Sequence, residues 1–303
     1  MSVDMAVKIC GVDFKNPIIA ASGTFGFGFE YGEFFDVSLL GGISSKGLTP
    51  ARREGNPSPR IAETPAGMLN AVGLQNPGID EFLAEILPEM KKFGTVIIVN
   101  VAGSSVDDYA LMTEKLKGTQ VDMVELNISC PNVKEGGVTF GVDPAMVERV
   151  TRAAKANCAQ PLIVKLTPNV SAIADNAKAA EQGGADAVSL INTITGMAID
   201  PVSRRRVLAN KTGGLSGPAI KPVALRMVYE VSKAIRLPVI GMGGIMTGKD
   251  AAEFMLAGAS AVMVGSATVF DPLSLPRIIS ELKDFCECNK IAAVRELTGA
   301  LVD

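Results

Sequence analysis

The residues best placed for chemistry form one string, Asn127-Ile128-Ser129-Cys130-Pro131-Asn132-Val133-Lys134-Glu135-Gly136-Gly137. A cysteine set between an apolar run and Pro131-Asn132 belongs on a loop, and a nearby lysine makes its thiol easier to deprotonate. Such a thiol can act as a general base, although a lone cysteine read by itself is more often inert. The chain contains no histidine, which removes Ser-His-Asp and Cys-His catalysis, His-ligated metals and imidazole acid–base work together. Any base must then be Cys, Lys, Tyr, Asp or Glu, and Cys130 is the candidate catalytic residue.

Further polar residues gather where apolar runs end. Ser22, Lys46, Asn100, Asn127, Ser129, Cys130, Lys165, Asn192 and Thr193 all occupy such places. Each could simply cap a strand; two lysines and three asparagines converging on one face could instead bind a polar, anionic heteroaromatic ligand. Two glycine loops stand apart, Gly241-Met242-Gly243-Gly244-Ile245 and Gly265-Ser266. They are either tight turns or a cradle whose backbone N–H groups approach a phosphate closely. That both loops show the pattern favours the phosphate, and with no metal ligands nearby it would belong to a phosphorylated cofactor or substrate. No metal site is expected. The five cysteines are odd in number and scattered, which fits a reducing compartment. Cys286 and Cys288 form a C-x-C pair with no second pair to complete a zinc or iron–sulfur site, so a helix end is the simpler reading.

These residues need a frame. Apolar runs at 17–21, 42–45, 96–101, 123–128, 162–166, 187–191, 239–242 and 261–264 are rich in Val and Ile, as in parallel strands buried on both faces. Amphipathic stretches separate most of them. The stretch 143–156 opens with Asp143-Pro144 and puts Met146, Val147, Val150 and Ala154 on one face. Stretches 171–182 and 250–256 end in glycines that feed the next strand. Eight such units in 303 residues argue for a (β/α)8 barrel in one domain spanning 1–303. A doubly wound sheet is the alternative, but residues 22–28 lack its glycine fingerprint. Two long Gly/Pro/Asn-rich segments, 47–78 and 193–222, read as irregular loops at the C-terminal face, where such barrels keep their active sites.

Composition limits the rest. The chain is 48% hydrophobic with a formal net charge of −3, and its mean hydropathy is +0.29. No apolar run reaches membrane-spanning length, and no basic segment followed by an apolar one opens the chain, so neither a membrane span nor a secretion signal is expected. Beyond Arg204-Arg205-Arg206 there is no basic cluster, so no nucleic-acid partner is expected either.

Several strings together resemble the catalytic subunit of class 1B dihydroorotate dehydrogenases. They are 127–137, 210–222, 240–244, Gly55-Asn56-Pro57 with Pro59-Arg60, and 67–78. The resemblance covers essentially the whole chain. It implies a cytoplasmic flavoprotein of pyrimidine synthesis that oxidises (S)-dihydroorotate to orotate. By that likeness FMN would be held by Ser22, Lys46, Gly47, Asn100, Asn127, Lys165, Ile191, Gly217, Gly243, Gly244, Gly265 and Ser266. Substrate would meet Lys46, Asn70, Ala71, Val72, Gly73, Leu74, Asn127, Asn192 and Thr193. Cys130 would take the proton from the carbon next to the ring carbonyl while hydride leaves the carbon bearing the carboxylate; class 2 resembles it with serine there. Lys165 would favour the negative charge of the reduced flavin, and the 139–141 side of the cysteine loop would close over the substrate. Class 1B also implies a partner subunit carrying FAD and a [2Fe–2S] cluster, NAD+ as final acceptor, and a heterotetramer of two catalytic and two electron-transfer subunits. The nearest alternatives are a fumarate-coupled class 1A homodimer, a dihydropyrimidine dehydrogenase-like barrel, and a non-catalytic phosphate-binding scaffold.

Overall fold

A run such as Val96-Ile97-Ile98-Val99 has no face to give to water, so the strand it forms must be covered on both sides. In the computed structural model, which describes residues 3–128 and 140–302, eight such strands close into a parallel barrel. They are β1 (Ile18–Ala20), β2 (Gly42–Ser44), β3 (Val96–Val101) and β4 (Met123–Asn127). The circuit continues through β5 (Leu162–Lys165), β6 (Ala187–Leu190), β7 (Val239–Met242) and β8 (Ala261–Val264), which returns to β1. Each expected run contains one of these strands. Fully burying each Val, Ile or Leu of this core contributes ~1.5–3 kcal/mol.

The polar residues of the barrel strands are Ser44, Asn100, Glu125, Asn127, Lys165 and Ser189, all buried and all on β2 to β6. The register sets Asn100 beside Glu125, Asn127 beside Lys165, and Lys165 beside Ser189. Polar groups are thereby collected on one side of the barrel, towards its C-terminal end.

Helices cover the outside. Helix Pro144–Asn157 starts as expected, with the Asp143 carboxylate accepting from Ala145 N–H and Pro144 in the first turn. Helix Gly248–Leu256 starts earlier than expected, because Thr247 and Asp250 form a reciprocal capping box. No helix among the described residues is long and apolar enough to cross a membrane.

The two long segments are irregular over most of their length but carry short strands that pair with one another. Ile61–Thr64 and Gly67–Asn70 from the first join Ile194–Gly196 and Gly213–Ser216 from the second in a four-stranded antiparallel sheet. Its central pairing sets Asn70 opposite Gly214 and Leu69 opposite Leu215. Glycine is needed there, since a Cβ on Gly214 would overlap Thr193 Oγ1. Leu69, Ala71 and Leu208 form a small core of its own beneath this sheet. At the opposite end of the barrel, Val7–Ile9 and Val12–Phe14 form a hairpin. Its turn residue Cys10 donates from Sγ to the Asp186 carbonyl at 3.2 Å, just before β6.

Candidate active site at the barrel mouth

The floor of the site is a charged residue inside an apolar strand. Glu125 is completely buried and accepts from Asn100 Nδ2 at 2.5 Å, Ser189 Oγ at 2.7 Å and Ser44 Oγ at 3.0 Å. One layer up, Asn127 Nδ2 faces Asn100 Oδ1 at 3.4 Å, and Asn192 Nδ2 faces Asn127 Oδ1 at 3.4 Å. Asn192 Oδ1 in turn accepts from Thr193 N–H at 2.8 Å. Lys165 is 5% exposed, and among the described residues no hydrogen bond or ion pair reaches its ammonium group. A cation in that position is available to an anionic or electron-rich ligand.

On the rim, Gly47 lies so near Asn100 that a Cβ would sit 2.9 Å from Asn100 Oδ1. Lys46 lines a cleft of about 360 Å³ with Gly26, Phe27, Glu30, Arg52 and Gln75. Burial, then the Arg60 charge, hold the Lys46 ammonium below the ordinary lysine range, with Glu30 opposing them. The 70–74 segment is held from both sides. Asn56 donates from Nδ2 to the Ala71 carbonyl at 2.9 Å, and Asn76 donates to the Leu74 carbonyl at 2.7 Å. Asn76 Oδ1 accepts from Thr49 and Gly78 N–H groups at 3.1 and 2.8 Å. Gly73 and Leu74 both take positive φ, 79° and 56°, which turns Asn70 to Leu74 along the site. Asn70 Nδ2 reaches the Gly214 carbonyl at 3.4 Å.

The other end of the mouth is built from backbone. Gly217, Gly243 and Gly244 adopt φ of 103°, 128° and 77°, and a Cβ on Gly244 would lie 2.7 Å from the Gly217 carbonyl. Ile191 is buried against Gly243 and donates from N–H to Met242 at 2.9 Å. Among the described residues, the N–H groups of Gly243, Gly244, Gly265 and Ser266 make no hydrogen bond within the protein. Near Gly265, the buried Thr24 Oγ1 also lacks a partner. Ser22, half-buried just after β1, precedes it. The donor set is neutral, because Lys221 is already taken by Asp250 at 2.6 Å and Glu253 at 2.8 Å. Most of the first turn of helix Gly248–Leu256 is already committed. Asp250 occupies the Met246 and Thr247 N–H groups, and Thr247 and Glu281 occupy those of Asp250 and Gly248. Unpaired amides plus an orphaned hydroxyl suit the phosphate of FMN.

Ser129, Cys130 and the rest of 129–139 lie outside the described residues. The residues on either side meet: a Cβ on Gly141 would be 2.8 Å from the Ile128 carbonyl, and Asn176 Nδ2 donates to the Gly141 carbonyl. Tyr109 OH donates to the Asn127 carbonyl at 2.9 Å and its ring meets Phe140 edge-on.

The sequence profile described as dihydroorotate dehydrogenase matches residues 4–286. The chain belongs to the dihydroorotate dehydrogenase family. Among curated relatives, a protein of Alkaliphilus metalliredigens is 56% identical over 299 residues, 99% of each chain. One from Citrifermentans bemidjiense is 54% identical over 98% of each chain, and one from Thermoanaerobacter pseudethanolicus is 51% identical over 99% of each. All three carry the name dihydroorotate dehydrogenase B (NAD(+)), catalytic subunit.

In this member of the dihydroorotate dehydrogenase family, Lys46, Gly47, Asn100, Asn127, Lys165, Asn192 and Thr193 share one mouth, while Gly217, Gly243, Gly244, Gly265 and Ser266 flank it. Sequence reasoning missed Glu125, Thr24, Asn56 and Asn76. The first had a signal, a lone carboxylate in Met-Val-Glu-Leu-Asn; the second had none, since its isolation is purely spatial.

Proposed function

We propose that this chain oxidises (S)-dihydroorotate to orotate, as the catalytic subunit of a class 1B enzyme of pyrimidine synthesis, acting as one barrel domain in the cytoplasm. The observation that carries the reading is full-length identity of 51–56% to catalytic subunits of that name. The cationic and amide lining of the mouth supports it.

FMN, when bound, supplies a two-electron acceptor. Its phosphate would take the N–H groups of Gly243, Gly244, Gly265 and Ser266, with Ser22, Ile191 and Gly217 beside it. Lys46, Gly47, Asn100, Asn127 and Lys165 would hold the ring. Lys165 places a positive charge, poorly screened by water, where electron density accumulates. Asn70 to Leu74, Asn127, Asn192 and Thr193 orient the substrate ring, and Lys46 neutralises its carboxylate. Cys130 follows Ile128 by two residues and takes the proton from the carbon beside the ring carbonyl. The 139–141 side of its loop excludes water once substrate is in place.

Electrons then leave for NAD+ through a partner subunit holding FAD and a [2Fe–2S] cluster, in a heterotetramer. The partner is assigned the cluster because the five cysteines of this chain are scattered and lack iron–sulfur spacing. The test is anaerobic. Dihydroorotate should bleach the flavin of the purified chain, and neither NAD+ nor fumarate should restore colour until the partner is added with NAD+. Recovery with fumarate alone would make this a class 1A enzyme, and no bleaching with flavin bound would mean another substrate.

A further inference from the structure

Glu125 takes no part in the chemistry above, yet it occupies the centre of the barrel. Among the described residues it has no ion pair, and an apolar side chain of its size would fill the same space at less desolvation cost. A carboxamide can present either oxygen or nitrogen to a neighbour, and only a neighbour of fixed character decides which. A carboxylate accepts, so at 2.5 Å it turns Asn100 Nδ2 downwards and leaves Asn100 Oδ1 facing up. Asn127 must then offer Nδ2 to that oxygen, and its own Oδ1 turns to Asn192 Nδ2. At the far end stands the Thr193 N–H, which can only donate, 2.8 Å from Asn192 Oδ1. An acceptor at one end and a donor at the other agree on the same order along the three amides.

We propose that Glu125 is a positioning residue: it sets the amide orientation of Asn100, and through it of Asn127 and Asn192, so that a planar heteroaromatic acid meets a fixed order of donors and acceptors. This rests on the reading of the mouth as an orotate site. The two 3.4 Å contacts are long for N–H···O bonds, so the ladder holds direction without locking the amides tightly. Ser44 and Ser189 satisfy the rest of the carboxylate.

The experiment titrates orotate into holoenzyme and follows the flavin absorbance of the native chain, E125Q, S44A and S189A. Glutamine keeps the shape but brings an N–H, so Asn100 loses its fixed acceptor and is tied to the Thr193 donor only through the two 3.4 Å contacts. Assayed with FMN in excess, because Asn100 and Asn127 also serve the flavin ring, E125Q should bind orotate about tenfold more weakly and raise KM for dihydroorotate by a similar factor, with a smaller change in kcat. S44A and S189A should bind orotate within about twofold of native. Native-like orotate binding by E125Q overturns the proposal. So does an equal loss in all three variants, which would mark a general burial effect. If E125Q does not fold, a tenfold loss in S44A or S189A still overturns it, and retained affinity in both supports it. A native flavin that ignores orotate overturns the functional reading and this inference with it; a responsive native flavin alongside an unaffected E125Q overturns this inference alone.

Discussion

Alanine at Gly244 should damage the protein in two measurable ways. The native φ of 77° lies in the left-handed region, where an L-residue costs about 1–2 kcal/mol. The new Cβ would also stand 2.7 Å from the Gly217 carbonyl and 2.9 Å from Lys221 Cβ. Relieving that overlap moves the loop, at about 1–3 kcal/mol more. The sum, about 2–5 kcal/mol, corresponds to a Tm loss of about 3–8 °C for a chain of this size. The same movement displaces the Gly243 and Gly244 N–H groups, so FMN affinity should fall at least about tenfold. Calorimetry with and without excess FMN, plus fluorescence titration of the flavin, reads both effects. Gly265 is the control: its Cβ would find Ala21 at 3.5 Å and Thr24 Oγ1 at 3.7 Å, ordinary contacts. G265A without FMN should lose no more than about 2 °C. Equal Tm losses in the two variants, or a G244A protein as stable as native, would refute the reasoning.

Three further outcomes are expected. Cys130→Ser should keep FMN bound and slow flavin reduction by about 100-fold or more, seen by anaerobic stopped flow. Asn76→Ala releases the Leu74 carbonyl and the Thr49 and Gly78 amides, so KM for dihydroorotate should rise about tenfold while FMN stays bound. Lys46→Met should abolish substrate binding yet stabilise the FMN-free protein at neutral pH. Burial depresses the folded Lys46 pKa, so its charge costs stability below that value and the cost vanishes as pH rises towards the unfolded value near 10.5. The Tm advantage of K46M in FMN-free protein should therefore shrink with rising pH, and a constant advantage would contradict this cause.

The barrel was legible because its strands are continuous apolar runs, and Val96–Val101 or Ala261–Val264 can be little else. Asn127 and Lys165 were legible for the same reason, as polar endings of such runs. The sheet over the mouth was not. Gly213 and Gly214 have no propensity for a strand, and their partner Gly67–Asn70 lies far away in the chain, so no local pattern announces the pairing. The hairpin 7–14 escaped because its strands have three residues each around a two-residue turn, with positive φ at Cys10 and Gly11.

The sheet over the mouth also divides its strands evenly. Ile61–Thr64 and Gly67–Asn70 follow β2, whereas Ile194–Gly196 and Gly213–Ser216 follow β6. Cut the chain between β4 and β5, and each half-barrel keeps one pair of these strands. The seam that rejoins the halves is then also the roof of the site. Ligand-binding geometry in this molecule is a property of the two halves docked together, and any chimaera exchanging one long loop must exchange its counterpart across the barrel.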